Sequence, residues 1–227
     1  MTAVAKNIFK ILAIFILGIG GGIFADQILS IYFNPVSPAG NDIYITERKE
    51  IFIQENTALE NAVEKTEKAV IGIKTLLESG EVLEGSGLVV TSDGLVVTLA
   101  GLVPQGSVFS FYVSGSSTAY QILKRDLKEN LALIKIDKNN LSTLSFADLE
   151  KIKLGERVFL AGVGAVNEGI IRSFNENLIE TNIFEEGRLA GSPLFNIKGE
   201  VLGINTISNK GRVLTIPVSK VKTFIGL

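Results

Sequence analysis

Short runs of hydrophobic residues, each about the length of a β-strand, follow one another from residue 69 to the end of the chain. The runs 95–99, 108–113 and 131–136 are examples, and turn residues such as Ser92-Asp93-Gly94 lie between many of them. No long amphipathic stretch separates these runs. The pattern predicts an all-β domain, an antiparallel sandwich or barrel, and it argues against an α/β fold.

Two short segments depart from this strand pattern. Thr57-Ala58-Leu59-Glu60 fits a capping box, and apolar residues at helical spacing follow it, which predicts a helix over residues 57–67. The last residues, 218–227, read VSKVKTFIGL and predict a final amphipathic turn.

The N-terminal region contains the longest apolar run. Residues 11–25 include no polar side chain, and the run reaches about the length needed to cross a bilayer if it extends over 8–26 and Lys10 reaches the interface. Lys6 and Lys10 precede the run and Asp26 follows it, so the positive-inside rule places the N-terminus in the cytoplasm. The sequence thus predicts a single transmembrane helix in the cytoplasmic membrane.

The predicted organisation has four parts: a cytoplasmic N-terminus (1–7), the transmembrane helix (8–26), a linker (27–56) and an extracytoplasmic β-domain (57–227). A cleaved signal peptide is the alternative to an uncleaved anchor, although Ile23 and Ala25 match a cleavage site poorly. Gly18 and Gly22 form a GxxxG pair that could bring two such helices together in a homodimer.

Composition excludes several function classes. The net charge of −2 does not fit a nucleic-acid-binding surface, which needs clustered Lys and Arg. The chain has no Cys, which excludes disulfides, cysteine nucleophiles and thiolate metal sites. It also has no His, the commonest general base near neutral pH and the commonest metal ligand. No cofactor and no metal site are expected.

The order of the β segments is more specific than their periodicity. Five motifs occur in sequence: GSGLVV–SDGLVVT (85–98), NLALIKI (130–136), LGERV (154–158), GSPLFN–GEVLGIN (191–205) and Ile216-Pro217. Their order and spacing resemble the HtrA/Deg type of trypsin-like serine proteases over residues 57–227. The resemblance implies two six-stranded antiparallel barrels with a site in the cleft between them.

The resemblance also implies where a catalytic triad would lie. Gly101 occupies the position of the histidine, Asn130 that of the aspartate and Ala190 that of the serine nucleophile. Alanine has no hydroxyl and glycine has no base, so the serine chemistry of the family is not expected. Arg188, Leu189 and Gly191 correspond to the oxyanion loop. The Cβ atoms of Arg188 and Leu189 resist the unusual backbone angles that glycine permits.

Two other groups near this loop offer alternative chemistry. Ser192 could be a displaced nucleophile with Lys198 or Lys210 as its base, or a small residue in the place of a family glycine. Glu185 and Glu186 could form an acid-base or metal pair, but adjacent residues of a strand point to opposite faces, and a solvated rim is the simpler interpretation.

The cleft is expected to be less polar than in an active enzyme. Leu189, Ser192, Val213 and Leu214 are the candidate cleft-binding residues, and either a collapsed groove or an apolar slot for an extended peptide would result. The sequence therefore predicts a membrane-anchored, non-catalytic trypsin-like domain that binds a peptide or protein partner by strand addition. The alternatives are an active serine endopeptidase with a rearranged site and a structural module for assembly in the membrane.

Overall fold

The computed structural model describes residue 8, residues 10–22 and residues 57–227. Residues 10–22 form a helix, α1, whose side chains are exposed throughout. Within the described part of the chain, no helix is both long enough and apolar enough to cross a membrane. The predicted N-terminus (1–7), the last part of the predicted span (23–26) and the predicted linker (27–56) lie outside the described residues.

The β-domain begins with a second helix, α2, over residues 57–67, as the capping box predicts. Ala62 is buried against the main hydrophobic core, with Leu59 and Val63 packed beside it. The helix ends in a turn in which the Ala69 N–H donates to the Thr66 carbonyl, and the first strand follows directly. The apolar face of α2 therefore fixes the start of the domain on its core.

Thirteen strands and a C-terminal helix complete the domain. The strands are β1 (Val70–Leu76), β2 (Val82–Val89), β3 (Leu95–Leu99), β4 (Val108–Val113), β5 (Ser116–Thr118), β6 (Tyr120–Asp126), β7 (Leu131–Ile136), β8 (Arg157–Gly162), β9 (Ala165–Phe174), β10 (Ile179–Phe184), β11 (Pro193–Asn196), β12 (Val201–Ile207) and β13 (Arg212–Pro217). The helix α3 spans Val218–Ile225. The hydrophobic runs thus predict the strands closely, whereas β5 has no apolar side chain and gives no such signal.

The first sheet has seven strands in the order β5-β4-β1-β2-β3-β7-β6 and does not close by hydrogen bonds. The structure supports the predicted trypsin-like double barrel, although this half is an open, seven-stranded half-barrel and not a six-stranded one. The sheet nevertheless curls, because its edge strands β5 and β6 are joined by Ala119 alone. Tyr120 of β6 packs on Phe111 of β4, with 4.7 Å between ring centroids. The short strand β5 pairs with β4 along the edge that β6 would pair with in a closed barrel.

The second sheet is a closed six-stranded barrel in the order β10-β13-β12-β11-β8-β9, as predicted. On the face of this barrel that packs against the first sheet, the rings of Phe159 and Phe195 lie 5.2 Å apart and both side chains are fully buried. The main core cluster continues from these rings to Leu131 of the first sheet and Val221 of α3. Because the main core cluster includes residues of both sheets, it fixes their relative position and so positions the loops between them.

Candidate active site cleft

Two of the triad-equivalent positions meet where β3 ends and β7 begins. The pairing of Leu99 with Leu131 brings the residues just beyond these strands together. The Gly101 N–H donates to the Asn130 Oδ1 over 3.0 Å, and the Ala100 N–H donates to the Asn130 carbonyl over 3.2 Å. Asn130 has a φ of 53°, a left-handed conformation that asparagine adopts more readily than most residues. Asn130 thus connects the end of β3 to the start of β7 through two hydrogen bonds.

No side chain stands at the position of the general base. Gly101 is exposed, and a Cβ placed on it would meet only the Asn130 Oδ1, at 3.5 Å. There is space for a side chain here, but no group that could accept a proton. The Asn130 amide lies where it could orient such a group and instead accepts a hydrogen bond from the backbone.

The third position, Ala190, follows the 3-10 helix Gly187–Leu189. The Ala190 N–H donates to the Gly187 carbonyl over 2.9 Å, within the loop itself. An oxyanion hole requires backbone N–H groups that are free to donate to the developing charge of a ligand. The N–H of Ala190 is not free in this conformation, so the loop does not provide the hole that its position in the resemblance implies.

The loop is attached to the first sheet by its backbone. The Ser86 N–H donates to the Ala190 carbonyl over 2.9 Å. Gly191 has a φ of 77°, and a Cβ on it would collide with the Ser86 carbonyl oxygen and lie 2.6 Å from the Thr98 Oγ1. Only glycine fits this contact between the sheets. Sequence reasoning did not assign Ser86 or Thr98 to the site, since their role depends on contacts distant in sequence.

Ser192 belongs to a buried polar network and not to a nucleophilic pair. Its Oγ accepts from the Asn205 Nδ2 over 3.2 Å, and the Asn205 Oδ1 accepts from the Thr215 Oγ1 over 2.6 Å. All three residues have no exposed surface. Lys198 and Lys210, the proposed bases, are both exposed. This arrangement satisfies buried polar groups and leaves a substrate no access to the hydroxyl.

The apolar cleft candidates lie inside the second barrel. Leu189 and Val213 are 3% and 0% exposed and belong to the same core cluster, while Leu214 is half-buried on β13. The Leu189 side chain points toward Gly162, where a Cβ would overlap it. Neither Leu189 nor Val213 presents a broad surface to a ligand, so a charged residue at either position would disrupt the core.

A groove of about 780 Å³ lies between the two sheets, and we call it the main groove. Tyr112, Val113, Val163 and Val166 form apolar parts of its wall, with the turns Ser114-Gly115 and Val163-Gly164 on its sides. Arg188 lines one end, beside the buried Leu189. The cleft has therefore not collapsed, although the exposed apolar wall comes from β4 and the β8–β9 turn and not from Val213.

A second groove of about 560 Å³, the side groove, begins on the other side of Glu84 and Arg188. Leu102 and Ala190 line it, and Leu102 is the neighbour of Gly101 in the chain. Glu84 and Arg188 line both grooves. Of the triad-equivalent positions, Ala190 lines the side groove, whereas Gly101 and Asn130 line neither groove.

The two glutamates beside the loop, Glu185 and Glu186, have different surroundings. Glu185 accepts a hydrogen bond from the Asn167 Nδ2, and Glu186 is exposed. The described residues hold no cluster of three carboxylates that could bind a metal ion. Hydrogen bonds from Lys135 and Lys151 lower the pKa of Asp93 and Asp148, respectively, but neither aspartate lines the main groove or the side groove.

Comparison with known proteins gives a consistent result. Residues 85–204 match the family model described as a trypsin-like peptidase domain. The chain is similar to proteins named "Probable periplasmic serine endoprotease DegP-like" from several bacteria. The relative from Halomonas elongata is 33% identical over 40% of this chain and 22% of its own length. The relative from Rhizobium meliloti is 31% identical over 54% of this chain and 29% of its own length. The chain thus matches less than a third of each of these two relatives.

Proposed function

This chain belongs to the trypsin-like peptidase domain family, and we propose that it is a non-catalytic member that binds an extended peptide or a segment of a partner protein. Residues 85–204, which the family model matches, include both the β2–β3 hairpin and the loop that holds Ala190. The proposal concerns the described domain and is independent of what the much longer relatives do.

The hydrogen bond between Gly101 and Asn130 is the observation that carries the proposal. The backbone N–H of Gly101 donates a hydrogen bond to the Asn130 Oδ1 over 3.0 Å. At these two positions the family has a histidine and an aspartate. With alanine at position 190, the cleft has neither a nucleophile nor a base to activate one. Peptide bound there would not be cleaved by the family's mechanism.

The remaining surface supports binding. The main groove and the side groove are both open, and Ala190 lines the side groove. The pairing of β12 with β11 ends at Ile204, although β12 continues to Ile207. Asn205 is still bonded on this side, because its N–H donates to the Ser192 carbonyl and its carbonyl accepts from the Gly191 N–H, both over 2.8 Å. Over the described residues, only Thr206 and Ile207 of β12 then have β13 on one side and no paired strand on the other. An extended peptide could add to this edge by main-chain hydrogen bonds.

We place the domain outside the cytoplasm, attached to the membrane by the N-terminal apolar run. The exposed side chains of Ile11, Leu12, Phe15 and Leu17 on α1 support a membrane or protein environment for this helix. The relatives are named periplasmic, in agreement with the orientation that Lys6 and Lys10 favour. Protease added to spheroplasts should digest the domain, and a domain that stays intact in sealed spheroplasts would contradict this orientation.

The test of function separates binding from cleavage. The full chain in detergent should leave unfolded casein intact, should not react with a fluorophosphonate probe and should retain peptides from an array of extended sequences. A DegP-like protease serves as the positive control for cleavage and labelling. Casein cleavage that co-purifies with the chain and is lost in Ser192→Ala would show a rearranged active site. A chain that retains no peptide would overturn the binding proposal.

A further inference from the structure

We infer that Arg188 determines the specificity of the cleft, and that the bound segment carries an aspartate or glutamate beside aliphatic residues. This inference rests on the proposed function, because it names the class of peptide that the cleft would bind. It assigns a binding role to a residue that replaces part of the family's oxyanion loop.

The position of Arg188 is fixed by its neighbour. Leu189 is buried in the core of the second barrel, and the 3-10 helix Gly187–Leu189 holds the two residues in a tight turn. Since Leu189 points inward, Arg188 is left on the surface of the loop. Arg188 lines the main groove, the side groove and a third groove bounded by Phe184, Glu185, Glu186 and Lys210. A peptide in any of these grooves would therefore lie beside Arg188.

The charges around Arg188 leave its guanidinium available. Glu84, which also lines both grooves, forms an ion pair with Lys74, with 3.7 Å between Nζ and Oε1. Glu185 accepts from Asn167, and Glu186 lines the third groove but neither of the other two. Over residues 57–227, no hydrogen bond or ion pair involves the Arg188 side chain.

The remaining charges of the main groove do not compete for the same ligand group. They are Glu67 and Lys68, which are adjacent at the end of α2 and have opposite signs, and the Lys74–Glu84 pair. With these pairs balanced, Arg188 gives the groove a net positive charge. A guanidinium binds a carboxylate through two parallel hydrogen bonds, so an acidic side chain is the complementary group.

The walls of the main groove suggest what surrounds the acidic residue. Val163 and Val166 are 63% and 47% exposed, and Tyr112 and Val113 are partly exposed opposite them. Aliphatic side chains of a ligand would cover these surfaces and remove them from water. Such contacts would also shield the ion pair at Arg188 from solvent, which strengthens it.

The experiment compares matched peptides on the full chain in detergent. Short, extended peptides from the array are each synthesised twice, with glutamate or with glutamine at one central position between valines and alanines. We expect the glutamate peptides to bind about tenfold more tightly, a difference of about 1.4 kcal/mol. Raising the salt from about 0.05 M to about 0.5 M should reduce that preference, because it screens the charges.

The variants identify the residue responsible. Arg188→Gln should remove the preference for glutamate, and Arg188→Lys should keep part of it, because lysine retains the charge without the planar fork. Lys210→Gln is the matched control, since Lys210 is an exposed cation that lines only the third groove. This control should bind like the unaltered chain. Thermal melting of each variant checks that the exposed substitutions leave the fold intact.

The outcomes separate the two proposals. If peptides bind but glutamate and glutamine forms bind equally, or if Arg188→Gln keeps the preference, the role of Arg188 is wrong and the peptide-binding function stands. If neither form binds, both proposals are overturned together. Loss of the preference in Lys210→Gln would move the acidic subsite to the third groove and would equally contradict the assignment to Arg188.

Discussion

The side-chain oxygen of Asn130 accepts a hydrogen bond from the backbone N–H of Gly101 over 3.0 Å. A carboxamide is well suited to this place, since Asn130 has a φ of 53° and its oxygen accepts from a backbone N–H of the short 3-10 helix Ala100–Leu102. This hydrogen bond is structural and stands where the family has a catalytic contact. Its contribution to the free energy of unfolding can be measured by substitution of Asn130.

Replacement of Asn130 should separate the conformation from the hydrogen bond. Asn130→Gly keeps an easy left-handed backbone and loses only the acceptor, so we expect a loss of about 1 kcal/mol in the free energy of unfolding. Asn130→Ala keeps the Cβ but lacks the polar side chain that makes the left-handed region accessible to asparagine, which adds about 1 kcal/mol. Urea unfolding of both variants measures the difference. Equal stability of the two variants would contradict a strained backbone at this residue.

Restoring the serine alone should not restore the enzyme. In Ala190→Ser the new hydroxyl has no base beside it, and the N–H of residue 190 still donates to the Gly187 carbonyl. We expect no casein cleavage and no fluorophosphonate labelling. Adding Gly101→His supplies a base in open space next to Asn130, and labelling by the probe should then become detectable. Labelling of the single variant would show that another group already serves as the base.

Ser192→Ala should weaken the fold and leave binding unchanged. The substitution leaves the buried Asn205 Nδ2 without its acceptor at 3.2 Å, which costs about 1–3 kcal/mol of stability. Thr215→Val is the companion change, because it removes the donor to the Asn205 Oδ1 at nearly constant volume. Urea unfolding and peptide binding are measured on each. A variant of normal stability with lost binding would place Ser192 on the ligand surface.

The contact at Gly191 can be tested against a matched glycine. Gly164 and Gly191 have similar left-handed φ values, 74° and 77°, but a Cβ on Gly164 meets nothing within 4 Å. Gly164→Ala should therefore lower the free energy of unfolding only by the cost of alanine in a left-handed conformation, about 1–2 kcal/mol. Gly191→Ala should lower it by the same cost and, in addition, by the cost of moving the loop away from Ser86 and Thr98. If both variants melt at the same temperature, the close approach of the loop to the first sheet is incorrect.

The ion pair between Asp93 and Lys135 predicts a pH dependence with a defined sign. The hydrogen bond from Lys135 lowers the pKa of Asp93 in the folded protein relative to an ordinary aspartate, about 3.9. The contribution to stability is therefore present above about pH 4 and is lost as the pH falls through the lowered folded-state pKa.

The matched variant is Asp93→Asn, which should melt at a lower temperature than the unaltered chain at pH 7. The difference should shrink as the pH falls below about 4. Asp93 is fully exposed, so the effect is expected to be small. A difference in melting temperature that grows on acidification would contradict the assignment.

Local sequence determined the elements and the family of this protein. The capping box at Thr57 predicted the start of α2, and the apolar runs predicted strands such as β3, β4, β7 and β13, because buried strands occur as short apolar runs between turn residues. The order of the motifs predicted the trypsin-like domain, since turn glycines and buried strands recur at spacings that the fold requires. The triad-equivalent positions Gly101 and Asn130 followed from that order.

Only the tertiary structure decided which side chains reach the cleft. Leu189 and Arg188 are neighbours in the chain, yet one is buried in the second barrel and the other lies exposed between two grooves. The closure of a sheet depends in the same way on distant pairing, so the short polar strand β5 and the open first sheet had no local signal. Burial and closure depend on which distant residues meet, because packing fills space in three dimensions whereas sequence patterns report only local periodicity.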